Sequence, residues 1–252
     1  MRFTPQLREF EWLVARPIAH RGLHAKGKGI VENTESAFAA AIKGNYAIEC
    51  DVQVSADGEA MVFHDDDLDR LTEAKGPVNE LTAKELRRVK LKLTTDRMQT
   101  LAELLEQVDG RSSLIIELKS LWDETDGLAK RAIEVLKGYD GPCCLMSFDP
   151  GLVACLRELS PHTVRGIVAD RIMHPSYSAL PLAKRYAMRT FGHLAKTQPH
   201  FVSYNWRELP FEPVTEIRKL GHPVITWTVR SREEASQALR YSDQITFEGY
   251  VP

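Results

Sequence analysis

A chain of 252 residues with 43% hydrophobic and 27% charged residues can bury one sizeable core, so it needs no disulfide or structural metal to fold. Its formal charge of −2, from 33 basic and 35 acidic residues, lacks the basic excess of a nucleic-acid binder. The N-terminal segment has no long apolar run, and no stretch approaches the roughly 20 apolar residues that span a membrane. We therefore expect a cytoplasmic protein with no nucleic-acid partner and no membrane span. The four cysteines form no CxxC pattern and are interpreted as reduced thiols.

Short runs rich in branched and aromatic residues predict nine strands. In chain order these runs are 17–20, 47–54, 59–65, 113–119, 143–148, 163–169, 201–205, 223–229 and 244–248. Amphipathic segments between them predict helices at 34–43, 100–108, 125–137, 150–159, 178–190, 213–220 and 231–240. We expect Thr34 to cap the first of these helices and Ser231 to begin a capping box at the last.

The alternation of strands with helices predicts a parallel sheet with crossover helices. About eight such units in this length fit a (β/α)₈ TIM barrel. A doubly wound open sheet is the alternative, and the absence of GxGxxG at the first strand–helix turn disfavours it. Residues 65–99 interrupt the alternation with a polar, turn-rich stretch that holds one short helix at 82–89. We interpret this stretch as a small insertion after the second strand region of a single domain, residues 1–252.

The run IECDVQV places two carboxylates on one face of a predicted strand. Because successive strand residues alternate between faces, Glu49 and Asp51 share one side while their apolar neighbours share the other. Two carboxylates on an otherwise apolar strand are costly unless they are paired, solvated or bound to a metal. Hard cations such as Mg²⁺ and Ca²⁺ prefer oxygen ligands of this kind, whereas the alternative is a half-exposed strand or a structural ion pair.

The run IIELKS repeats this pattern with an acid and a base. Glu117 and Lys119 share one face of their strand, which suits a metal beside a phosphate, although a simple surface pair would look the same. In a barrel, the C-terminal ends of the strands converge on one mouth. The two runs together therefore favour one site more than either does alone.

Two histidines stand at the ends of predicted strands. His20 follows the first strand, and His64 lies in the predicted strand 59–65, where it shares a face with Val62. Imidazoles with pKa values near neutrality can act as general acid and general base. Arg21 can bind a phosphate through two hydrogen bonds or brace the carboxylates, and both interpretations stay open. The patterns GxSxG, GxxxxGK[ST] and HExxH, typical of other hydrolases and of nucleotide-binding loops, are absent.

In this order, the motifs resemble the glycerophosphodiester phosphodiesterase family. The resemblance is dense over residues 17–119 and continues more thinly through Ser147-Phe148 and Trp227-Thr228-Val229. It is carried by His20-Arg21-Gly22, Glu32-Asn33-Thr34, Ala37-Phe38, Glu49-Cys50-Asp51-Val52, Asp57-Gly58, His64-Asp65, Leu68, Arg70, Gly76 and Glu117-Leu118-Lys119.

The resemblance implies a β/α barrel enzyme that cleaves a small-molecule glycerophosphodiester into sn-glycerol 3-phosphate and an alcohol. It implies that one divalent cation, Ca²⁺ or Mg²⁺, is held by three carboxylates and that two histidines act as acid and base. It further implies two phosphate-binding cations and an aromatic residue that packs on the glycerol. In this numbering the respective residues are Glu49, Asp51 and Glu117; His20 and His64; Arg21 and Lys119; and Trp227, for which a core aromatic is the alternative.

This chain departs from the family pattern near its C-terminus. Arg230 stands where the family has an asparagine and Glu248 where it has an aspartate, which concerns substrate preference more than phosphoryl chemistry. The segment 170–200 matches nothing in the family, and its basic residues form a solvated helix face or a partner surface. The alternatives are a lysophospholipase-D-like or other specialised phosphodiesterase and, since every expected ligand is present, less favourably a non-catalytic binding barrel. The sequence predicts no oligomeric state.

Overall fold

The computed structural model describes residues 10–173 and 175–252. In these residues the strands are β1 (Ile18–Ala19), β2 (Ala47–Val54), β3 (Ala60–Val62), β4 (Leu114–Leu118), β5 (Cys143–Ser147), β6 (Arg165–Ala169), β7 (Phe201–Asn205), β8 (Val224–Val229) and β9 (Gln244–Phe247). The helices are α1 (Glu11–Val14), α2 (Glu35–Lys43), α3 (Ala83–Leu86), α4 (Leu101–Val108), α5 (Gly127–Leu136), α6 (Pro150–Leu159), α7 (Leu182–Arg189), α8 (Leu194–Thr197), α9 (Glu212–Lys219) and α10 (Arg232–Ala238). This succession is that of the (β/α)₈ TIM barrel that the sequence predicted, with β3 as an additional antiparallel strand.

The chain divides into two compact units. The N-terminal unit comprises Ile18–Leu145, and the C-terminal unit comprises Met146–Pro252 together with residues 10–17. All of the catalytic and ligand residues that the sequence predicted, except Trp227, belong to the N-terminal unit. The prediction of a single domain over 1–252 stays a prediction.

Parallel pairing on both sides of β2 organises the N-terminal unit. β1 pairs with β2 through Ile18 opposite Ala47, and β4 pairs with β2 so that Glu117 lies opposite Asp51. The core of β2 is buried on both faces, as expected of a parallel strand covered on both sides. The register therefore brings acidic residues of two separate sequence motifs side by side.

β3 is shorter than the predicted strand 59–65, which is a correction. It pairs antiparallel with β2, with Val62 opposite Val52, and ends at Val62. Beyond it, the backbone N–H of Phe63 still donates to the carbonyl of Asp51 at 3.0 Å, but the chain then leaves the sheet. His64 therefore lies in a loop, and its direction is set by that loop rather than by strand alternation.

The cap of α2 is a second correction. Thr34 occupies the N-cap position, but its hydroxyl donates to the carbonyl of Val31 and accepts nothing from the helix. The carboxylate of Asp96, from the insertion, instead accepts from the backbone N–H and the hydroxyl of Ser36. A residue 60 positions away thus satisfies an N–H group that the sequence pattern assigned to a local cap.

The insertion at 65–99 carries a small apolar cluster of its own. Short helical turns at Val78–Glu80 and α3 pin it, and a complete capping box at Thr82 and Glu85 begins α3. Buried side chains of the insertion pack with two residues of the β3 region, Met61 and Phe63; they are Leu68, Val78, Leu86, Leu91 and Met98. The stretch that reads as polar is therefore fixed to the N-terminal unit by a hydrophobic contact.

The C-terminal unit is built on the parallel strands β6, β7, β8 and β9. Its apolar core includes Ile167, Val202 and Val224 from three of these strands and Tyr204 stacked on Phe211. At α10 the hydroxyl of Ser231 accepts a hydrogen bond from the backbone N–H of Glu234, as expected for a cap. The carboxylate of Glu234, however, accepts from the N–H of Arg230, so only half of the capping box forms.

The four cysteines are free thiols, as predicted, and Cys50 and Cys144 are buried. Burial raises the pKa of both of these thiols well above its usual value, so they stay protonated. Among the described residues, no helix is long and apolar enough to cross a membrane.

Candidate active site

Three buried carboxylates from β2 and β4 form the centre of the candidate site. Glu49 and Asp51 project from the same face of β2, as predicted, and Glu117 stands opposite Asp51 on β4. One oxygen of each lies within 4.8 Å of the others, and all three residues are at most 8% exposed. Such a set of hard oxygen donors suits a hard divalent cation.

The electrostatics of the three acids call for a cation. Burial raises the pKa of Glu49 well above its usual value, and the negative charges of Asp51 and Glu117 raise it further. Burial acts in the same direction on Asp51, yet the neighbouring charge of Lys119 and other cations hold its pKa below the usual range. A divalent cation relieves such repulsion, so these residues fit a metal site.

Lys119 lies directly beside this acidic centre. Its ammonium donates to Glu117 Oε1 at 2.8 Å and to Asp51 Oδ1 at 3.3 Å. Although burial lowers the pKa of Lys119, the two carboxylates raise it above its usual value, so the side chain stays charged. The face that Glu117 and Lys119 share in the sequence pattern is therefore also shared in the fold.

Arg21 reaches the same centre through its backbone and its side chain. Its backbone N–H donates to Glu49 Oε2 at 2.9 Å, and its Nε lies 3.4 Å from Asp51 Oδ2. The residue adopts a left-handed conformation, with φ 56°, and Gly22 follows at φ 78°. A side chain at Gly22 would meet Ala37 at 2.9 Å, so only glycine allows this close turn. Of the two sequence interpretations, the brace for the carboxylates is observed.

Asn33 holds the other side of Asp51. Its Nδ2 donates to Asp51 Oδ2 at 2.9 Å, and its Oδ1 accepts from the backbone N–H of Asp51 at 3.2 Å. Asn33 is 3% exposed and has φ 55°, a conformation that asparagine tolerates better than most residues. This reciprocal pair fixes the orientation of the carboxylate, a role for Asn33 that the sequence did not predict.

The two histidines have different surroundings. His20 places Nε2 4.0 Å from Glu49 Oε2, and its side chain is 14% exposed. His64 has Nδ1 2.7 Å from Asp65 Oδ1 and is 28% exposed. Because an ionised carboxylate only accepts, Nδ1 of His64 carries the hydrogen, which leaves Nε2 to exchange a proton.

Arg70, in the insertion, forms hydrogen bonds with two carboxylates, those of Glu32 and Asp65. Its guanidinium donates twice to Glu32, at 2.7 and 3.0 Å, and twice to Asp65, at 2.6 and 2.8 Å. Glu32 also accepts from Arg21 at 2.6 Å. Although burial raises the pKa of Glu32, the hydrogen bonds and charges of the two arginines lower it to about 2. The chain of contacts runs from His64 through Asp65, Arg70 and Glu32 to Arg21.

Comparisons with known proteins identify the family of the chain. Residues 20–243 match the model of the glycerophosphoryl diester phosphodiesterase family. The chain belongs to this family. A glycerophosphodiester phosphodiesterase of Caldanaerobacter subterraneus is 27% identical over 234 residues, covering 88% of this chain and 89% of that protein.

Two solved structures of phosphodiesterases have a fold similar to that of this chain. A phosphodiesterase from Oleispira antarctica, in complex with the product sn-glycerol-3-phosphate, has a TM-score of 0.78 at 22% identity, covering 97% of this chain and 95% of that chain. A glycerophosphodiester phosphodiesterase from Thermotoga maritima has a TM-score of 0.69 at 25% identity, covering 91% and 92%. The chain is thus a phosphoric diester hydrolase of this family, as the motifs predicted.

Trp227, the predicted substrate-binding aromatic residue, lies in the C-terminal unit of this phosphodiesterase. It stands at β8, half-buried, and its ring meets Phe148 edge-on with centroids 5.5 Å apart. Its indole N–H donates to the carbonyl of Ser203 at 3.2 Å. This support leaves part of the ring accessible, and its contact with substrate stays a prediction.

The two departures from the family pattern are one interaction. Arg230 donates from Nε to Glu248 Oε1 at 2.8 Å, and its Nη2 lies 2.6 Å from the same oxygen. A change of either residue alone would leave a charge without this partner. In the sequence they look like separate changes, because no spacing shows that the ends of β8 and β9 meet.

Four polar residues of the site were named in the sequence only as parts of motifs. They are Glu32, Asn33, Asp65 and Arg70. The signal that could have assigned them is charge balance, because a cluster of buried acids needs donors from nearby loops. Their pairing, however, depends on contacts across up to 38 residues.

Proposed function

We propose that this phosphodiesterase hydrolyses glycerophosphodiesters to sn-glycerol 3-phosphate and an alcohol at the cluster around Asp51. The observation that carries the proposal is the junction of three buried carboxylates with Lys119 and Arg21, since it combines acidic ligands with cations for a phosphate. The family and the printed names of the relatives support the reaction class. A product complex of the Oleispira antarctica protein supports the identity of the retained half.

Glu49, Asp51 and Glu117 would hold one divalent cation, Ca²⁺ or Mg²⁺. When bound, the cation supplies charge stabilisation to the non-bridging oxygens of the phosphate. The protein residues orient the ligand set before any substrate arrives, because Asn33 and the backbone of Arg21 fix two of the three carboxylates. Such support by neighbouring hydrogen bonds is typical of metal sites.

His20 and His64 would move the protons of the reaction. The neighbouring glycerol hydroxyl attacks phosphorus as one histidine takes its proton, and the P–O bond to the alcohol breaks as the other histidine protonates the leaving oxygen. Water then opens the resulting cyclic phosphate with the opposite proton transfers. An internal nucleophile gains effective concentration over water. In His64 the proton is exchanged at Nε2, because Asp65 holds Nδ1–H.

Lys119 and Arg21 would meet the phosphate from the side of the acids. Both are charged, because the surrounding carboxylates hold the pKa of each side chain above its usual value despite burial. Because both side chains are largely buried, water screens their charges little, which strengthens their effect on the developing negative charge. Trp227 would pack against the glycerol half of the substrate.

A coupled assay for sn-glycerol 3-phosphate tests the proposal. Purified protein meets glycerophosphocholine, glycerophosphoethanolamine and glycerophosphoglycerol, each with EDTA and then with Ca²⁺ or Mg²⁺ restored. We expect release that EDTA stops and one of the two cations restores. Lysophosphatidylcholine, the substrate of the lysophospholipase-D-like alternative, is the comparison substrate. Because its cleavage gives lysophosphatidic acid and choline, choline release is measured for it and for glycerophosphocholine, and it should react more slowly.

Folded protein that releases no sn-glycerol 3-phosphate from any soluble diester under either cation would overturn the proposal. Faster turnover of lysophosphatidylcholine than of glycerophosphocholine would favour the lysophospholipase-D-like enzyme. A barrel that only binds its ligand would retain binding of glycerophosphocholine without turnover. The cytoplasmic location and the absence of a nucleic-acid partner stay predictions.

A further inference from the structure

A stretch of the C-terminal unit contains basic residues but no acidic ones. Residues 171–207 hold six Lys or Arg and no Asp or Glu, although acidic residues outnumber basic ones in the whole chain. This stretch, the cationic segment, includes α7 and α8 and ends beyond β7. Lys184 lies 3.4 Å from Asp149 and Arg207 lies 2.6 Å from Glu234, so both have acidic partners outside the segment. Arg189 and Lys196 are exposed on the surface.

The same segment exposes large apolar side chains. The four most exposed large hydrophobic side chains among the described residues are 71% to 75% exposed. Three of them, Met173, Leu182 and Tyr186, belong to the cationic segment, and the fourth is Leu93. Single exposed apolar residues are ordinary, but three within fourteen positions of the chain, two of them on α7, are a concentration of exposed apolar side chains.

The exposed residues are fixed in place by buried neighbours. Leu182 and Tyr186 are four positions apart on α7, so they lie side by side on one face, and Arg189 continues that face. Met188 is buried and attaches the opposite face of α7 to the core. Before the helix, Tyr177 and Leu180 are also buried. The surface formed by Leu182, Tyr186 and Arg189 is therefore presented by a helix that is held to the unit.

We propose that the cationic segment docks this protein on the surface of an anionic lipid bilayer. Basic side chains are attracted to anionic head groups, while aliphatic and tyrosine side chains enter the boundary between head groups and hydrocarbon. A nucleic acid would use the charges but has no place for Leu182 and Met173. Self-association through this surface would bring like charges together. The inference does not depend on the proposed reaction, because it concerns residues outside the cluster around Asp51.

Co-sedimentation of the full-length protein with vesicles tests this docking. One set of vesicles mixes phosphatidylglycerol with phosphatidylcholine, and the other contains phosphatidylcholine alone. We expect binding to the anionic vesicles only, and we expect added salt to weaken it. Arg189→Ala and Lys196→Ala should each weaken the apparent affinity by about fivefold. Leu182→Ser should weaken it as well, since the apolar contact is lost.

Matched variants separate this surface from general charge and hydrophobicity. Lys219→Ala removes the same charge from an exposed side chain of α9, and Leu93→Ser removes an equally exposed leucine from the insertion. Both should bind anionic vesicles as tightly as the unchanged protein. All of these variants should release sn-glycerol 3-phosphate from a soluble diester at the unchanged rate, so a loss of vesicle binding is distinguishable from a loss of catalysis.

Three results would overturn the docking. The first is equal binding to neutral and anionic vesicles or to neither. The second is a loss with Lys219→Ala as large as that with Arg189→Ala, which would indicate net charge alone. The third is equally tight binding to duplex DNA with no effect of Leu182→Ser on either ligand, which would indicate a polyanion surface without a membrane.

Discussion

In the cluster around Asp51 each basic side chain contacts at least one carboxylate. In the cationic segment, by contrast, only some basic side chains pair with acids outside it, as Lys184 and Arg207 do, while Arg189 and Lys196 are exposed. The first group is mostly buried, and removing one partner there leaves an ion without compensation inside the protein. The second group places charges such as those of Arg189 and Lys196 in solvent, where each is stable alone. Buried charges therefore hold one another in position, while exposed charges of one sign remain available to a partner.

The largest effect is expected at the centre of the buried cluster. Asp51→Asn keeps the shape of the side chain but removes a ligand charge, so cation binding and turnover should fall together, turnover by on the order of 10³-fold. Calorimetry with Ca²⁺ or Mg²⁺ and the coupled assay measure the two losses. Glu106→Gln, on an exposed position of α4, is the matched control and should change neither. Turnover of Asp51→Asn within tenfold of the unchanged protein would show that the charge of Asp51 is not needed for the reaction.

The next largest effect is expected at His64. His64→Gln keeps a polar side chain but removes the group that exchanges a proton, so kcat should fall by about 10²- to 10³-fold. Binding of the cation should be unchanged, because the carboxylates stay in place. His162→Gln, at an exposed histidine, should keep full activity. Loss of cation binding in His64→Gln would mean that the histidine supports the acids rather than the proton transfer.

A smaller effect is expected at Arg70, which positions other residues. Arg70→Ala breaks the contacts with Glu32 and Asp65, so His64 loses its fixed orientation and kcat should fall by up to about 10²-fold. Arg70→Lys should recover part of the loss but lack the paired hydrogen bonds of a guanidinium. Lys75→Ala, in an exposed ion pair of the same insertion, should have no effect. A change confined to KM would instead indicate that Arg70 binds substrate.

Acid should destabilise the protein through two half-buried histidines of the cationic segment. Burial lowers the pKa of His193 and of His200 to about 4, below the value of about 6.5 in an unfolded chain. The unfolded state therefore binds protons first, and stability should fall as pH drops from about 6.5 to about 4. His200 accepts the backbone N–H of Arg165 at Nδ1, and His200→Asn can keep that acceptor without titrating. Urea unfolding should show a smaller acid loss for this variant and an unchanged loss for His162→Gln.

An equal acid loss in His200→Asn and in the unchanged protein would show that His200 is not responsible. Glu32, which pairs with Arg21 and Arg70, acts in a lower range of pH. The pKa of Glu32 is held at about 2, so the stability from its ion pairs is present above the unfolded pKa of about 4.5 and is lost only below it. His200 and Glu32 should therefore respond to acid in successive ranges of pH.

The smallest effect is expected at the exposed charges of the cationic segment. Arg189→Ala should change the free energy of unfolding by less than about 0.5 kcal/mol, because a solvated charge without a buried partner contributes little to folding. Urea unfolding at neutral pH measures this change. A destabilisation above about 1 kcal/mol would mean that Arg189 is part of the packing of α7.

The sequence predicted the elements of this fold closely. Eight of the nine predicted strands and all of the predicted helices appear near their expected positions, because alternation, apolar periodicity and glycine stops act within one element. It failed for the strand ending at His64 and for the cap by Thr34. At the cap, a contact from Asp96 replaced the local pattern, and such a contact leaves no mark in sequence spacing. At the strand, the chain leaves the sheet after Val62, which alternation along the sequence does not show.

The amino-acid sequence alone was enough to name the acids, histidines and cations of the predicted site. The period of two along a strand places Glu49 beside Asp51 and Glu117 beside Lys119, and this follows from strand geometry alone. The order of these motifs was enough to indicate the family and the reaction class. None of these conclusions needed to know which strands are neighbours.

How these acidic and basic groups are arranged depends on the tertiary structure. The parallel register of β2 and β4 sets Asp51 opposite Glu117, and loops from distant positions bring Asn33 to Asp51 and Arg70 to Asp65. It likewise decided that Leu182 faces solvent while Met188 on the same helix is buried. The physical reason is that burial and charge pairing depend on which surfaces meet, and that depends on the packing of the whole chain rather than on any one segment.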